Sequence, residues 1–448
     1  MPAQVSHQHS DREGRRRGTR LRRPEEITEI LVGDMEDVDV ESSQNPLRET
    51  KLQVLAPAAD DLIDVAQQRR SRSVHLLYDG PRCGTRVTGE RDHFSILWLP
   101  CGGLSMRHAF VQPSGQDDNL GDSALRAGLL QALTQAGARL HVHLAGQTSD
   151  YVSGLPLVSD GMLYSDRDKW LRASDGVTRP VYVVNAGEIG PRADQPYPLP
   201  DRAREMERVV RRGGLVIAAG LGLKDLEAGA AVQFDPVLRA AALVSWRDLG
   251  SRDAAGFGEV APDWAFAQGS STSAWEDEGN RPYTAVTLRF DRPWPDDSWL
   301  RAVRAFARGT GTTIVTVAQV ARDAPRAVQL ADALGGRYLA APSTRHDDLD
   351  RHMRGVYARS LAVVSDRAHA LIMGATEGAY PLGSAADPQK IERILAAAGL
   401  GALTGHHDSI ADRVDRVDSE RAGLEGAVQA SRAEIRSLTA RIRALFDL

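Results

Sequence analysis

The sequence predicts an α/β protein of two Rossmann-like domains, with a disordered N-terminal extension and a C-terminal coiled-coil helix. Three observations lead there. From about residue 105, short apolar runs alternate with longer amphipathic ones, the signature of parallel strands joined by crossover helices. One polar stretch, Gln268–Asn280, interrupts that alternation and has the composition of a linker. Beyond residue 408, apolar residues recur at spacings of three and four.

Residues 1–50 are polar and rich in Arg, Asp, Glu and Ser, which predicts a disordered tail. Its basic run, Arg15 to Arg23, reads as solvated chain, with contact to nucleic acid or anionic lipid as the sharper alternative. Residues 51–104 form an accessory segment in which Phe94–Leu99 has the pattern of a strand. The first domain spans 105–270. Arg107–Gln112 reads as a strand, followed by a polar loop and a helix over Ser123–Ala136, whose stripe is Leu125, Leu129, Leu130 and Leu133. Gly137 ends that helix. Strands follow at Leu140–Leu144, Val181–Val184, Leu215–Ala219 and Leu243–Trp246. The second domain spans 283–402, with strands at Ala285–Phe290, Thr313–Val317, Arg337–Leu339 and Leu361–Ser365. Helices are expected between them, for example Trp299–Arg308 and Arg326–Leu334.

Residues 408–448 place Ile410, Val414, Val417, Leu424, Val428, Ile435, Leu438, Ile442 and Leu445 in heptad register, which predicts a coiled coil and a homo-oligomer. The other reading is a helix packed on its own domain. Hydrophobic content of 42% and charged content of 26% are those of a soluble globular chain. A net charge of −5 offers no basic field for nucleic acid, so no nucleic-acid partner is expected. Cys83 and Cys101 make neither a disulfide framework nor a zinc motif. No apolar run spans a bilayer, and the first residues lack a signal-peptide core. The expectation is a cytoplasmic protein, with at most peripheral contact at the inner face of the membrane.

Four segments sit where a predicted strand gives way to a loop or helix. In Asn119-Leu120-Gly121-Asp122-Ser123, Gly121 permits a sharp turn and Asp122 or Ser123 can cap the helix. A helix N-terminus beside a cleft is a prepared anion site, although Asp122 is itself anionic and suits a hydroxyl ligand or a base. In Asn185-Ala186-Gly187-Glu188, Glu188 either contacts an acceptor or belongs to a simple turn. Arg247 ends a strand and either forks onto a carboxylate or phosphate or pairs with a structural acid such as Asp248. In Ser365-Asp366-Arg367-Ala368-His369, the cation Arg367 at a helix start is unfavourable without an anionic partner, and His369 can exchange a proton near neutral pH. No P-loop, G-x-G-x-x-G or G-x-S-x-G elbow is present.

Taken in order, these segments resemble the polysaccharide pyruvyl transferase family. The resemblance runs from Asn119–Leu125 through Trp246–Ser251, Pro262–Phe266 and Ala318–Asp323 to Ser365–Ile372. It implies a glycosyltransferase-B-like fold with the active site between the two domains. It also implies transfer of a pyruvyl group from phosphoenolpyruvate to a sugar, giving a cyclic ketal with no further cofactor and no metal. By that resemblance Arg247 and Arg367 bind the donor and His369 is the general acid. Asp122 is the candidate base, and Asn119, Gly121, Asn185, Glu188 and Gln319 complete the substrate-binding set. The chain departs from the pattern at Asn185–Glu188, where many members carry a run of glycines. Two rival readings are a nucleotide-sugar glycosyltransferase and a silent carbohydrate-binding scaffold oligomerising through residues 410 to 445.

Overall fold

The computed structural model describes strands at residues 50–53, 74–77, 85–90 and 93–98, and residues 107–157, 161–190, 192, 194–405 and 407–447. The expected disordered tail lies outside the described residues. The chain divides into two units, residues 1–102 and 103–448. In the first, β1 (Thr50–Gln53) pairs in parallel with β2 (Val74–Leu77), and β3 (Thr85–Glu90) pairs antiparallel with β4 (His93–Trp98).

The second unit holds two parallel sheets. The first comprises β5 (Arg107–Val111), β6 (Ala138–His143), β7 (Met162–Tyr164), β8 (Val181–Val183), β10 (Leu215–Leu223), β11 (Leu243–Trp246) and β12 (Glu259–Val260), with β9 (Gly187–Ile189) beside the far end of β10. Their order is β12-β11-β10-β8-β5-β6-β7. The second sheet comprises β13 (Tyr283–Thr287), β14 (Thr313–Thr316), β15 (Arg337–Tyr338), β16 (Ser360–Ser365), β17 (Tyr380–Ser384) and β18 (Thr404–Gly405), in the order β15-β14-β13-β16-β17-β18. Both sheets start in the middle, wind to one side, then cross over and wind to the other. This doubly wound order opens a crevice at the carboxyl ends of the two strands where the winding reverses. Those strands are β5 and β8 in the first lobe and β13 and β16 in the second. Central strands such as Val181–Val183 and Ser360–Ser365 are buried throughout, because helices cover both faces.

The helix Leu120–Gln135 leads from β5 toward β6. Its predicted stripe, Leu125, Leu129, Leu130 and Leu133, is at most 1% exposed. The helix starts three residues earlier than predicted because Asn119 caps it, its side chain accepting from the Gly121 N–H at 3.1 Å. The two lobes meet along this loop. The Leu120 N–H donates to the Gln319 carbonyl, the Ala321 N–H donates to the Asp118 carbonyl, and Ser123 meets His346 at 2.7 Å with both side chains buried.

The expected coiled coil is corrected. Residues 407–416 form a 3-10 helix, Val417–Ala422 a short α-helix, and a final helix runs over Leu424–Asp447. Leu424, Val428, Ile435, Leu438 and Ile442 belong to the chain's own core, each at most 5% exposed. The final helix crosses back to the first lobe. Arg432 donates to the carbonyls of Phe266, Gln268 and Ser270, and the Phe446 carbonyl accepts from Arg107 at the start of β5. Heptad spacing alone does not say whether the covering surface is a second copy or the same chain; here it is the same chain. The oligomer expected through this helix loses the feature that suggested it. No helix among the described residues is long and apolar enough to cross a membrane.

Ile442 is 0% exposed. Ile442→Ala is expected to destabilise the protein by about 2–5 kcal/mol. In denaturant melts the unfolding midpoint should be independent of protein concentration. A midpoint that rises with concentration in the unaltered protein and no longer does so in Ile442→Ala would mean that the stripe packs against another copy.

Candidate active site

The two switch points face each other through the loops that leave β5, β8, β13 and β16. In the first lobe, Asn185 just beyond β8 spans the crevice. Its amide nitrogen donates to the Ser114 carbonyl at 2.7 Å, and its oxygen accepts from Arg126 Nε at 3.4 Å. Asp122, in the first turn of the helix, accepts from the Gln116 N–H at 2.8 Å and from Arg126 at 3.0 Å. Burial alone would raise its carboxyl; Arg126, the Gln116 N–H and His369 outweigh burial and hold it below the usual carboxylate range. A carboxylate so engaged has little affinity for a further proton, which counts against Asp122 as a base. The expected cap at Asp122 or Ser123 belongs to Asn119 instead.

Arg247 directly follows β11, with its backbone N–H held by the Leu221 carbonyl. The residue is 4% exposed. Its partner is not Asp248, which caps the next helix, bonds Ser251 and pairs with Arg393. One guanidinium nitrogen donates to Asp263 Oδ2 at 3.2 Å, and another lies 3.7 Å from Glu188 Oε2. Its Nε, although buried, makes no hydrogen bond. Gly222 makes room for it, since a Cβ there would lie 2.5 Å from that Nε.

In the second lobe, β16 ends in Ser365, whose hydroxyl donates to the Thr287 carbonyl across the second switch point. Asp366 accepts from the Arg289 N–H at 2.9 Å. Burial pushes the Asp366 carboxyl up to about 6, with the Arg289 N–H, Arg367 and Arg289 opposing. Arg367 is the N-cap residue of helix Ala368–Thr376. It has the anionic partner that its position demands: Nε and a terminal nitrogen grip Asp323 at 2.5 and 2.8 Å, and Asp323 is 1% exposed.

His369 reaches across to the first lobe. Its Nε2 is 3.5 Å from Asp263 Oδ2, an ion-pair distance rather than a good hydrogen bond. Its other edge lies against the start of helix Leu120–Gln135, where a Cβ at Gly121 would come within 2.5 Å of Nδ1. The sharp turn expected of Gly121 is therefore corrected. Gly121 lies within the helix, outside the left-handed region, and what matters is the missing side chain. Asp263 thus joins Arg247 and His369. It is fully buried; burial alone would raise its carboxyl, but His369, Arg247 and the Ala265 N–H keep it well below the usual range.

The structure brings Arg247, Glu188 and His369 into one cluster, with Asp122 and Gly121 on its first-lobe wall. Arg367 is on a different carboxylate from Arg247. Asn119 serves as a helix cap, and the Gln319 side chain is fully buried, its amide nitrogen against Met373 Sδ. Sequence reading missed the roles of Asp263, Asp323 and Lys390. The last reaches from helix Gln389–Ala396 of the second lobe to Glu188. Among the described residues, no group of three or more His, Cys, Asp or Glu side chains could hold a metal ion.

Cationic groups, carboxylates and an imidazole thus meet at the joint crevice of two doubly wound lobes, the place where open α/β folds bind their ligands. The chain belongs to the polysaccharide pyruvyl transferase family, whose model matches residues 119–381. No curated protein matches it. Among solved structures it is similar to LpCGTa in complex with UDP, at 12% identity over 75% of this chain and 99% of that one, with a TM-score of 0.39. It is similar to Anabaena Alr3699/HepE in complex with UDP-glucose, at 10% identity over 75% of this chain and 98% of that one, TM-score 0.43. It is also similar to the E. coli heptosyltransferase WaaC with ADP, at 14% identity over 70% and 99%, TM-score 0.36. Likeness this distant says nothing of what this chain binds.

Two stability measurements check the cluster. A helical Gly→Ala change ordinarily stabilises by about 0.5–1 kcal/mol. At Gly121 the sign should reverse, because the methyl group displaces His369; a gain of the ordinary size would place His369 elsewhere. Asp263→Ala should cost about 3–5 kcal/mol, since it leaves Arg247 buried with its nearest carboxylate gone. A loss under about 1 kcal/mol in denaturant melts would contradict that pairing.

Proposed function

We propose that this chain transfers a pyruvyl group from phosphoenolpyruvate to a sugar of a cell-surface polysaccharide or its precursor, forming a cyclic ketal. One observation carries the reading in this family member: Arg247 and His369, from different lobes, converge on the buried carboxylate of Asp263. The donor has a carboxylate and a phosphate, and needs cationic donors together with a proton source. Arg247 provides fixed charge at the crevice. Arg367 is the second cation, positioned by Asp323 and reaching the donor with the guanidinium nitrogen outside the two gripped by that carboxylate.

The reaction balances without a redox step. His369 delivers a proton to the methylene carbon as one sugar hydroxyl oxygen attacks the neighbouring carbon. The first hydroxyl proton passes to the phosphate, which departs with the C–O bonding pair. The second sugar hydroxyl then attacks the same carbon, closing the ring, and its proton returns to His369. Arg247 and Arg367 stabilise charge on the donor, and closure of the lobes aligns two hydroxyls with one carbon. Lys390 from the second lobe adds positive charge beside Glu188.

His369→Ala is expected to retain the fold and to lose about 10²–10⁴-fold in phosphate release from phosphoenolpyruvate, the range for a general acid. Undiminished release by the folded variant removes His369 from the mechanism. Thermal-shift titration separates donors. Phosphoenolpyruvate should raise the melting temperature, whereas a rise with a nucleotide sugar alone would replace this reading with glycosyl transfer.

A further inference from the structure

Glu188 does not lie where a loop happens to leave it. It is the middle residue of β9, directly opposite Gly222 of β10. Gly187, at φ +121°, turns the chain into that strand. Gly222 has no side chain, and Arg247 fills the space a Cβ would take. The sheet therefore sets the Glu188 carboxylate beside Arg247 at 3.7 Å, and Lys390 of the opposite lobe ion-pairs with the same carboxylate oxygen. Lys390 and Arg247 outweigh burial and keep Glu188 ionised.

Two carboxylates, Asp263 and Glu188, already hold the two cations Arg247 and Lys390. His369, 3.5 Å from Asp263, adds positive charge when protonated, and Lys224 also acts on Glu188. A multiply charged anion gains the full attraction of Arg247 and Lys390 only when one carboxylate yields. Asp263 is 0% exposed and cannot reach water. The Glu188 side chain is 28% exposed and can.

We infer that Glu188 is an internal counter-anion, occupying the place between Arg247 and Lys390 that an anionic group of the substrate takes, so that binding requires its carboxylate to swing out. This rests on the proposed anionic donor and adds to it. The chain carries its own competitor, which lowers donor affinity and keeps the two lobes bridged through Lys390 until a ligand replaces the bridge. A purely structural bridge would instead make its removal neutral or harmful to binding.

Calorimetric titration of the full chain with inorganic phosphate and with phosphoenolpyruvate tests this. Glu188→Gln should bind both anions about tenfold more tightly than the unaltered protein, a change of about 1.4 kcal/mol. Asp253→Asn removes one negative charge from an exposed residue of the same lobe, ion-paired with neighbouring Arg252, and should stay within about twofold. Glu188→Asp, with a shorter reach, should fall between. If Glu188→Gln is poorly folded by circular dichroism, Glu188→Asp decides alone. Equal, weaker or absent binding by the deciding variant overturns the inference, as does an equal gain in Asp253→Asn. The donor reading fails separately: tighter phosphate binding with no ketal product from phosphoenolpyruvate leaves the counter-anion in place and removes the pyruvyl donor. Ketal formation without any gain in anion affinity does the reverse.

Discussion

The structure depends on one carboxylate with no access to water. Asp263 keeps its charge inside the protein because His369, Arg247 and the Ala265 N–H close on it. A buried charge is tolerated when it is paired and hydrogen-bonded, and is expensive otherwise. This requirement ties three distant stretches of chain to one point: the end of β11, the turn that follows β12, and the start of the helix after β16. The last belongs to the other lobe, so the relative placement of the lobes and the electrostatics of the crevice are one constraint.

Missing side chains complete the fit. Gly121 and Gly222 each leave a gap that a functional side chain fills, one with His369 and the other with Arg247. Each of these side chains thereby lies against backbone that carries no side chain of its own, which restricts its rotamers and preorganises it. Ion pairs at the rim, Lys390 with Glu188 and Arg393 with Asp248, bridge the same two lobes around this centre. The rim pair involving Glu188 is the more exposed and the more readily exchanged.

Much of the fold is legible in the sequence because parallel strands buried on both faces leave apolar runs that nothing else explains. Leu243–Trp246 and Leu361–Ser365 fall on strands, and so does Val181–Val184 but for its last residue. The short strands β7, β9, β12 and β18 are not legible, since two or three residues show no period; the equally short β8 and β15 are legible only with the apolar residue that follows each, Val184 and Leu339. The final helix misleads because Ile435, Leu438 and Ile442 carry the same spacing whether they meet a second helix or their own core. At the site, strand ends point to Arg247 and His369. Asp263 and Asp323 lie in stretches that carry the family resemblance, but nothing local says what they pair with: each matters through a partner more than 15 residues away, and only the fold brings those partners together. Gly121 stands out in the sequence as a turn former, because sequence shows a glycine but not what presses against it.

The central claim is that Arg247, Asp263 and His369 form a site at which a donor's central carbon becomes bonded to two oxygens of one sugar. The most direct measurement follows phosphoenolpyruvate labelled with ¹³C at that carbon by NMR, with protein and candidate sugar acceptors. The label is expected to move to a ketal carbon coupled to acceptor protons. A label that stays in phosphoenolpyruvate with every acceptor, or appears only as free pyruvate, would contradict it.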